Sequence, residues 1–244
     1  MADYSAMIQD AFSYTKEGVY HRTDRWMRLI LATILLGIPL YGYTIRIYRG
    51  AVPAPDVDDW KTLFIEGLTL LVICLIYAIP IFILAFAPAL LMPAPVAGPV
   101  GSVHTMPDGG LVKTLAIMLV SMVLTLIFEI IIAILLPIAS IRFARTCSFS
   151  EAFDFRTILA HIGKIGWLNY ILALILFFVI IGIPVFILEM IFLVGGLVLG
   201  NMYIGLGLFI VLVLIFAPVV TTFQARYTTQ VYDLGVSDPA EQVQ

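Results

Sequence analysis

The chain has 244 residues, 62% hydrophobic and 12% charged, with a net charge of −3 and a mean hydropathy of +1.08. A soluble domain holds roughly 45–50% apolar and about 25% charged residues, so this composition excludes a water-soluble fold. The negative balance excludes nucleic acid as a partner.

Tyr4, Met7, Ile8, Ala11 and Phe12 recur at helical spacing within residues 1–17. With Asp3 as a cap, they predict an amphipathic helix lying in the headgroup plane; a frayed polar tail is the alternative. No signal-peptide core precedes Leu29, so the first membrane segment is expected to be retained. Lys16, Arg22, Arg25 and Arg28 lead into Leu29–Ile45, 17 apolar residues interrupted by Gly37-Ile38-Pro39. That length is the short limit for a crossing, and proline breaks helical hydrogen bonding. The segment either crosses with a kink or enters and returns as a hairpin.

Arg46 to Asp59 form a connector, with Asp56 and Asp59 expected to cap the next helix. Trp60, Leu63, Phe64 and Leu68 mark that helix's apolar face. Membrane crossings are predicted over 62–92, 111–141, 167–194 and 202–223; about 20 apolar residues suffice for each. Pro93 to Gly110 reads as a loop. Cys74 lies in an apolar run and Cys147 in a basic loop, so they are expected not to pair. Ser148–Ile162 reads as a short amphipathic segment. Ser148-Phe149-Ser150-Glu151 fits a capping box, and Ala152, Phe155, Ile158, Leu159 and Ile162 form its apolar face. Gly195 to Asn201 marks a turn. Arg226 is expected to open a polar tail, disordered over 236–244.

The predicted fold class is all-α, a single integral membrane domain over 1–235. Four transmembrane helices form two hairpins, joined by an N-terminal re-entrant (or short spanning) segment and interfacial helices. Lysine and arginine number four in 1–28, three in 46–61, one at Lys113, four in 140–166 and one at Arg226. Basic loops stay cytoplasmic, which places 46–61, 140–166 and the C-terminus inside, in the plasma membrane. A crossing at 29–45 would leave four basic residues outside; a re-entrant hairpin, covered by protein, keeps every basic cluster inside.

An internal repeat is expected. Ala11-Phe12-Ser13-Tyr14 precedes Trp26 and Gly37-Ile38-Pro39. Ala152-Phe153-Asp154-Phe155 precedes Trp167 and Gly182-Ile183-Pro184. Ile45-Arg46 with Arg49 matches Ile141-Arg142 with Arg145, and Ala225-Arg226 is a weaker third exit.

Three stretches together carry a family resemblance: Gly-Ile-Pro before Gly42-Tyr43-Thr44-Ile45-Arg46, then Asp58-Asp59-Trp60, then Ser150-Glu151-Ala152-Phe153-Asp154-Phe155. The chain resembles, from about Ile8 to Gly235, the archaeal and bacterial membrane family catalogued as domain of unknown function 4013. The resemblance implies an integral membrane protein and brings no catalytic residues with it.

Glu129 is the sharpest single residue, since a carboxylate at mid-bilayer costs at least about 2.5–3.5 kcal/mol. It reads either as packing glue between helices or as part of an ion or proton pathway. Arg142, Arg145, Arg156 and Lys164 form a basic collar that either sets topology or binds anionic headgroups. Trp26, Trp60 and Trp167 are placed as interfacial anchors. His21, His104 and His161 are scattered over different loops, so neither a metal nor any other cofactor is expected. No hydrolase, metalloprotease or phosphate-loop motif is present, and no catalytic residue is assigned. The expected function is a non-enzymatic membrane component that organises lipid or scaffolds a membrane partner or a second copy of itself. The alternative is a small-solute or ion transporter using Glu129.

Overall fold

The computed structural model describes residues 3–20, 22–91, 110–198 and 201–236. These residues form nine α-helices and no strand. They divide into two compact units, Met1–Ile73 with Pro137–Gln244, and Cys74–Leu136. Cys74 and Cys147 are free.

In the larger unit, α1 (Tyr4–Thr15) starts where the Asp3 carboxylate accepts the Ala6 N–H at 3.1 Å, the cap expected from sequence. It buries Met7, Ala11 and Tyr14 against α9, and the Phe12 ring lies 4.7 Å from that of Phe223. A π-helical turn, Lys16–Tyr20, leads to α2 (Thr23–Ile34) and α3 (Ile38–Tyr48). The break between them falls at Leu36 and Gly37, both left-handed (φ +59° and +69°), with Pro39 in the first turn of α3. Proline tolerates that position because its missing N–H has no helical acceptor there.

Twelve and eleven residues give helices about 16–18 Å long, too short to cross a hydrocarbon core of about 30 Å. Their outer ends meet the same stretch of connector. From α2, Arg25 bonds the Asp56 carboxylate at 2.5 Å and Arg28 the Val57 carbonyl at 3.2 Å. From the last turn of α3, Arg46 bonds the Asp56 carbonyl at 2.9 Å and the Asp58 carboxylate at 2.6 Å. Both helices are thus tied to residues 56–58 of the connector.

Helix α3 meets the start of α4 (Trp60–Leu91) without side chains between them. A Cβ on Gly42 would lie 2.0 Å from the Leu63 carbonyl oxygen, and one on Gly67 1.8 Å from that of Ile38. Asp59 alone caps α4, through Thr62; Asp56, expected to share that role, is held by Arg25 instead.

Helix α5 (Gly110–Thr146) runs five residues past its expected end. The capping box at Ser148 does not form. Ser148 opens only a 3₁₀ turn, Phe149–Phe153, its hydroxyl faces Ser150 at 3.0 Å, and Glu151 pairs with Arg142. Helix α6 (Phe155–Ile165) is capped by Asp154 and buries Ile158, His161, Ile162 and Ile165, leaving Phe155 and Leu159 exposed. Helices α7 (Trp167–Phe177) and α8 (Ile183–Val198) are joined by a π-helical turn, Phe178–Gly182, and Pro184 is the second residue of α8.

Helix α9 (Met202–Asp233) continues ten residues beyond the expected 223. Tyr227, Thr228, Thr229, Val231 and Tyr232 are buried rather than forming a polar tail. Their polarity misled because the threonine hydroxyls are satisfied within the helix: Thr228 donates to the Gln224 carbonyl at 2.6 Å and Thr229 to that of Ala225 at 2.7 Å. Helices α1, α2 and α3 all pack on α9. Of the expected loop, Pro93 to Gly110, Gly110 is the first residue of α5 and the rest lies outside the described residues, as does the expected 236–244 tail beyond Val236.

In the smaller unit, Ser121 donates to the Leu84 carbonyl, and an apolar groove runs between Leu84, Ala87, Ile117 and Val120. Four stretches, Trp60–Leu91, Val112–Thr146, Trp167–Gly196 and Gly205–Asp233, are long and apolar enough to cross a membrane.

Candidate functional site: arginines at the helix ends

A helix ends with carbonyls that lack intrahelical donors, and cations near that end are favourable. Helix α3 closes in Ile45-Arg46-Ile47-Tyr48-Arg49 and α5 in Ile141-Arg142-Phe143-Ala144-Arg145. Each supplies the other's missing donor. Arg49 Nε bonds the Ala144 carbonyl at 2.9 Å, and Arg145 Nε bonds the Tyr48 carbonyl at 3.1 Å. The two acceptors occupy matching places, each directly before the arginine that reaches across.

Carboxylates complete the arrangement. Arg49 pairs with Glu66 and Arg145 with Asp233, both at 2.6 Å, and the Arg145 guanidinium lies 4.6 Å from the centre of the Tyr232 ring. Arg142 pairs with Glu151. Arg226 on α9 pairs with Asp10 of α1 at 2.7 Å, above the Tyr14 ring. Tyr4 adds a hydrogen bond from α1 to the Asn169 carbonyl at 2.9 Å. Arg25 is buried between the Gly18 carbonyl and Asp56, and its hydrogen bond holds the Asp56 carboxyl below the usual range.

A second matching feature follows each arginine pair. Asp59-Trp60-Lys61-Thr62 and Asp154-Phe155-Arg156-Thr157 share the pattern aspartate, aromatic, basic, threonine. In both, the threonine hydroxyl donates to the aspartate at 2.5 Å and the threonine N–H to its other oxygen. These bonds lower both carboxyls from their ordinary values. Sequence reading noticed Asp59 and Asp154 separately and missed the shared pattern; the signal was its place, ten and nine residues after Arg49 and Arg145.

The four collar residues separate into two kinds. Arg142 and Arg145 are half-buried in internal pairs. Arg156, Leu159 and Lys164 are exposed on α6, and Trp167 follows, 47% exposed. Trp26 donates to the Ile215 carbonyl at 3.3 Å, and Trp60 opens α4, half-buried.

His161 is not in a loop. It is buried on α6, its Nε2 lies 2.9 Å from the Tyr232 carbonyl, and burial lowers its pKa below the usual histidine value. His21 and His104 lie outside the described residues, among which no three potential metal ligands cluster. Glu129 is exposed on α5.

Over residues 27–193 the chain matches the family described as "Protein of unknown function (DUF4013)". No curated protein and no solved structure matches it.

Proposed function

We propose, for a chain that belongs to the family "Protein of unknown function (DUF4013)", a non-enzymatic role as a multi-pass membrane protein that organises anionic lipid at the cytoplasmic face of the plasma membrane. The observation that carries this reading is the division of the basic residues. Arg46, Arg49, Arg142, Arg145 and Arg226 close internal pairs, while Arg156 and Lys164 stand exposed beside Leu159 and Trp167. Basic residues next to apolar and indole side chains suit a headgroup layer. The internal pairs make a fixed frame on which that face is presented. The alternative, a small-solute or ion transporter, rests on Glu129, the helix breaks and the repeated helix ends. The matching helix ends also support descent of the two halves from one repeated unit.

A basic residue near an anionic surface contributes about 1 kcal/mol. Arg156→Gln with Lys164→Gln is therefore expected to weaken binding of anionic over zwitterionic lipid at least tenfold, read by native mass spectrometry of the detergent-solubilised protein. Arg142→Gln is expected to leave lipid binding unchanged and to lower thermal stability. Equal lipid retention in the α6 double variant would leave that face a topology signal only.

The short helices α2 and α3 are proposed to re-enter the membrane, which puts α1 on the cytoplasmic side with α6. In a background lacking Cys74 and Cys147, cysteines at Gln9 and Ser150, both exposed, are expected to resist an impermeant maleimide in intact cells and to label after permeabilisation. Labelling of position 9 from outside would rule the re-entrant arrangement out.

A further inference from the structure

Helix α9 ends against a buried histidine of α6. The Tyr232 carbonyl, in the last turn of α9, accepts two donors: the Gly235 N–H at 3.0 Å and His161 Nε2 at 2.9 Å. A carbonyl only accepts, so Nε2 carries the hydrogen and neutral His161 keeps Nδ1 as its basic nitrogen. The imidazole also stacks on the Tyr232 ring, with centroids 3.9 Å apart and planes 22° from parallel. Past the helix end the backbone runs so close that a Cβ on Gly235 would lie 2.9 Å from His161 Nε2 and 2.9 Å from Ile165 Cγ1. Ring, carbonyl and backbone of the α9 end thus all rest on one imidazole, itself 7% exposed.

The charges around that imidazole are mostly positive. Lys164 acts on it from α6 itself, and Arg142 and Arg145 act on it from the end of α5. The nearby carboxylates are taken: Asp233 of α9 is paired with Arg145 at 2.6 Å, and Glu151 of the 3₁₀ turn with Arg142. The Arg145 guanidinium already lies over the same Tyr232 ring. A proton on Nδ1 would therefore add a fourth cation where no carboxylate is left to receive it. Only the Tyr232 carbonyl and the negative end of the α9 dipole favour the charged ring.

We infer that the contact of His161 with Tyr232 is a pH-sensitive latch: neutral His161 holds the end of α9 on α6, and a proton on Nδ1 releases it. Burial first, then the neighbouring cations, keep the His161 pKa below the ordinary histidine value. The latch is thus at full strength above about pH 6.5 and weakens as the pH falls below that. Asp233 sits on the released segment, so opening also takes the counter-ion from Arg145.

The test uses the full chain in detergent and does not depend on membrane placement. Hydrogen exchange at the histidine ring carbon, followed by mass spectrometry, titrates His161 itself; its midpoint is expected below about 6.5, the value of an exposed histidine. Backbone exchange over residues 228–236, corrected for the intrinsic rate, is expected to rise roughly tenfold between about pH 7.5 and about pH 5. His161→Gln still offers an N–H to the carbonyl but takes up no proton in this range, so its exchange over those residues should stay flat. The carboxylates and the other two histidines remain in that variant, so the difference between the two profiles belongs to His161. A ring midpoint at or above about 6.5, no rise in the wild type, or the same rise in His161→Gln would each overturn the latch. If His161→Gln does not fold, the ring titration of the wild type still decides.

Discussion

Gly67→Ala is expected to destabilise the protein by about 3 kcal/mol or more, at or above the upper end of overpacking substitutions in well-packed cores. The new methyl would lie 1.8 Å from the Ile38 carbonyl oxygen and 2.8 Å from the Gly42 nitrogen, both backbone atoms. A flexible side chain could rotate away; a helix backbone has to translate as a whole. Gly42→Ala meets the Leu63 carbonyl at 2.0 Å and should behave alike. Gly163→Ala on α6 is the control. Nothing lies within 4 Å of its added Cβ, so it should gain about 0.5–1 kcal/mol from the lost flexibility of glycine. Thermal unfolding in detergent, followed by loss of the monodisperse chromatographic peak, ranks the three. A Gly67→Ala protein as stable as wild type would mean that α3 does not rest on α4 backbone to backbone.

Arg145→Gln should be the most damaging single change among the charged residues, at about 2–3 kcal/mol. It removes the Asp233 pair, the bond to the Tyr48 carbonyl and the contact with the Tyr232 ring together. Hydrogen bonds to charged groups contribute about 1.5–3 kcal/mol. Asp233 is 34% exposed, so solvent screening reduces the ion pair's own share. A double-mutant cycle with Asp233→Asn isolates that share, expected at about 1 kcal/mol and smaller at high salt. The remainder belongs to the carbonyl bond and the ring. A cycle that accounts for the whole loss would show that the exchange of carbonyl bonds between α3 and α5 adds nothing.

The apolar crossings were legible because apolar runs of about twenty or more residues, interrupted in α5 only by Glu129, leave few alternatives. The break at Gly37 was legible for a related reason: glycine and proline punctuate any backbone. The C-terminal third of α9 was not. Thr228, Thr229 and Gln230 read as tail in one dimension, and only packing against α1 and α3 makes their helix worth burying. The capping box failed because Arg142, nine residues upstream of Glu151, competes for the same carboxylate, and an ion pair formed across a turn leaves no trace in local spacing. In sequence the collar presents four equivalent charges. Its division into internal pairs and an exposed face depends on which carboxylates the fold brings near, and Asp233 is eighty-eight residues from Arg145.

The exchange between Arg49 and Arg145 looks the same when its two helices trade places. Such a pattern arises without selection of either bond separately when two identical chains meet about a two-fold axis. A half-length ancestor ending one helix in Ile-Arg-x-x-Arg would have made both bonds by self-association, and tandem duplication of its gene would have carried them into one polypeptide. On the proposed descent from one repeated unit, fusion would release each half from having to match the other. The unequal counter-ions, Glu66 early in α4 for Arg49 and Asp233 at the end of α9 for Arg145, are the kind of divergence that release permits, while the carbonyl bonds, which need only an arginine and a helix end, persist.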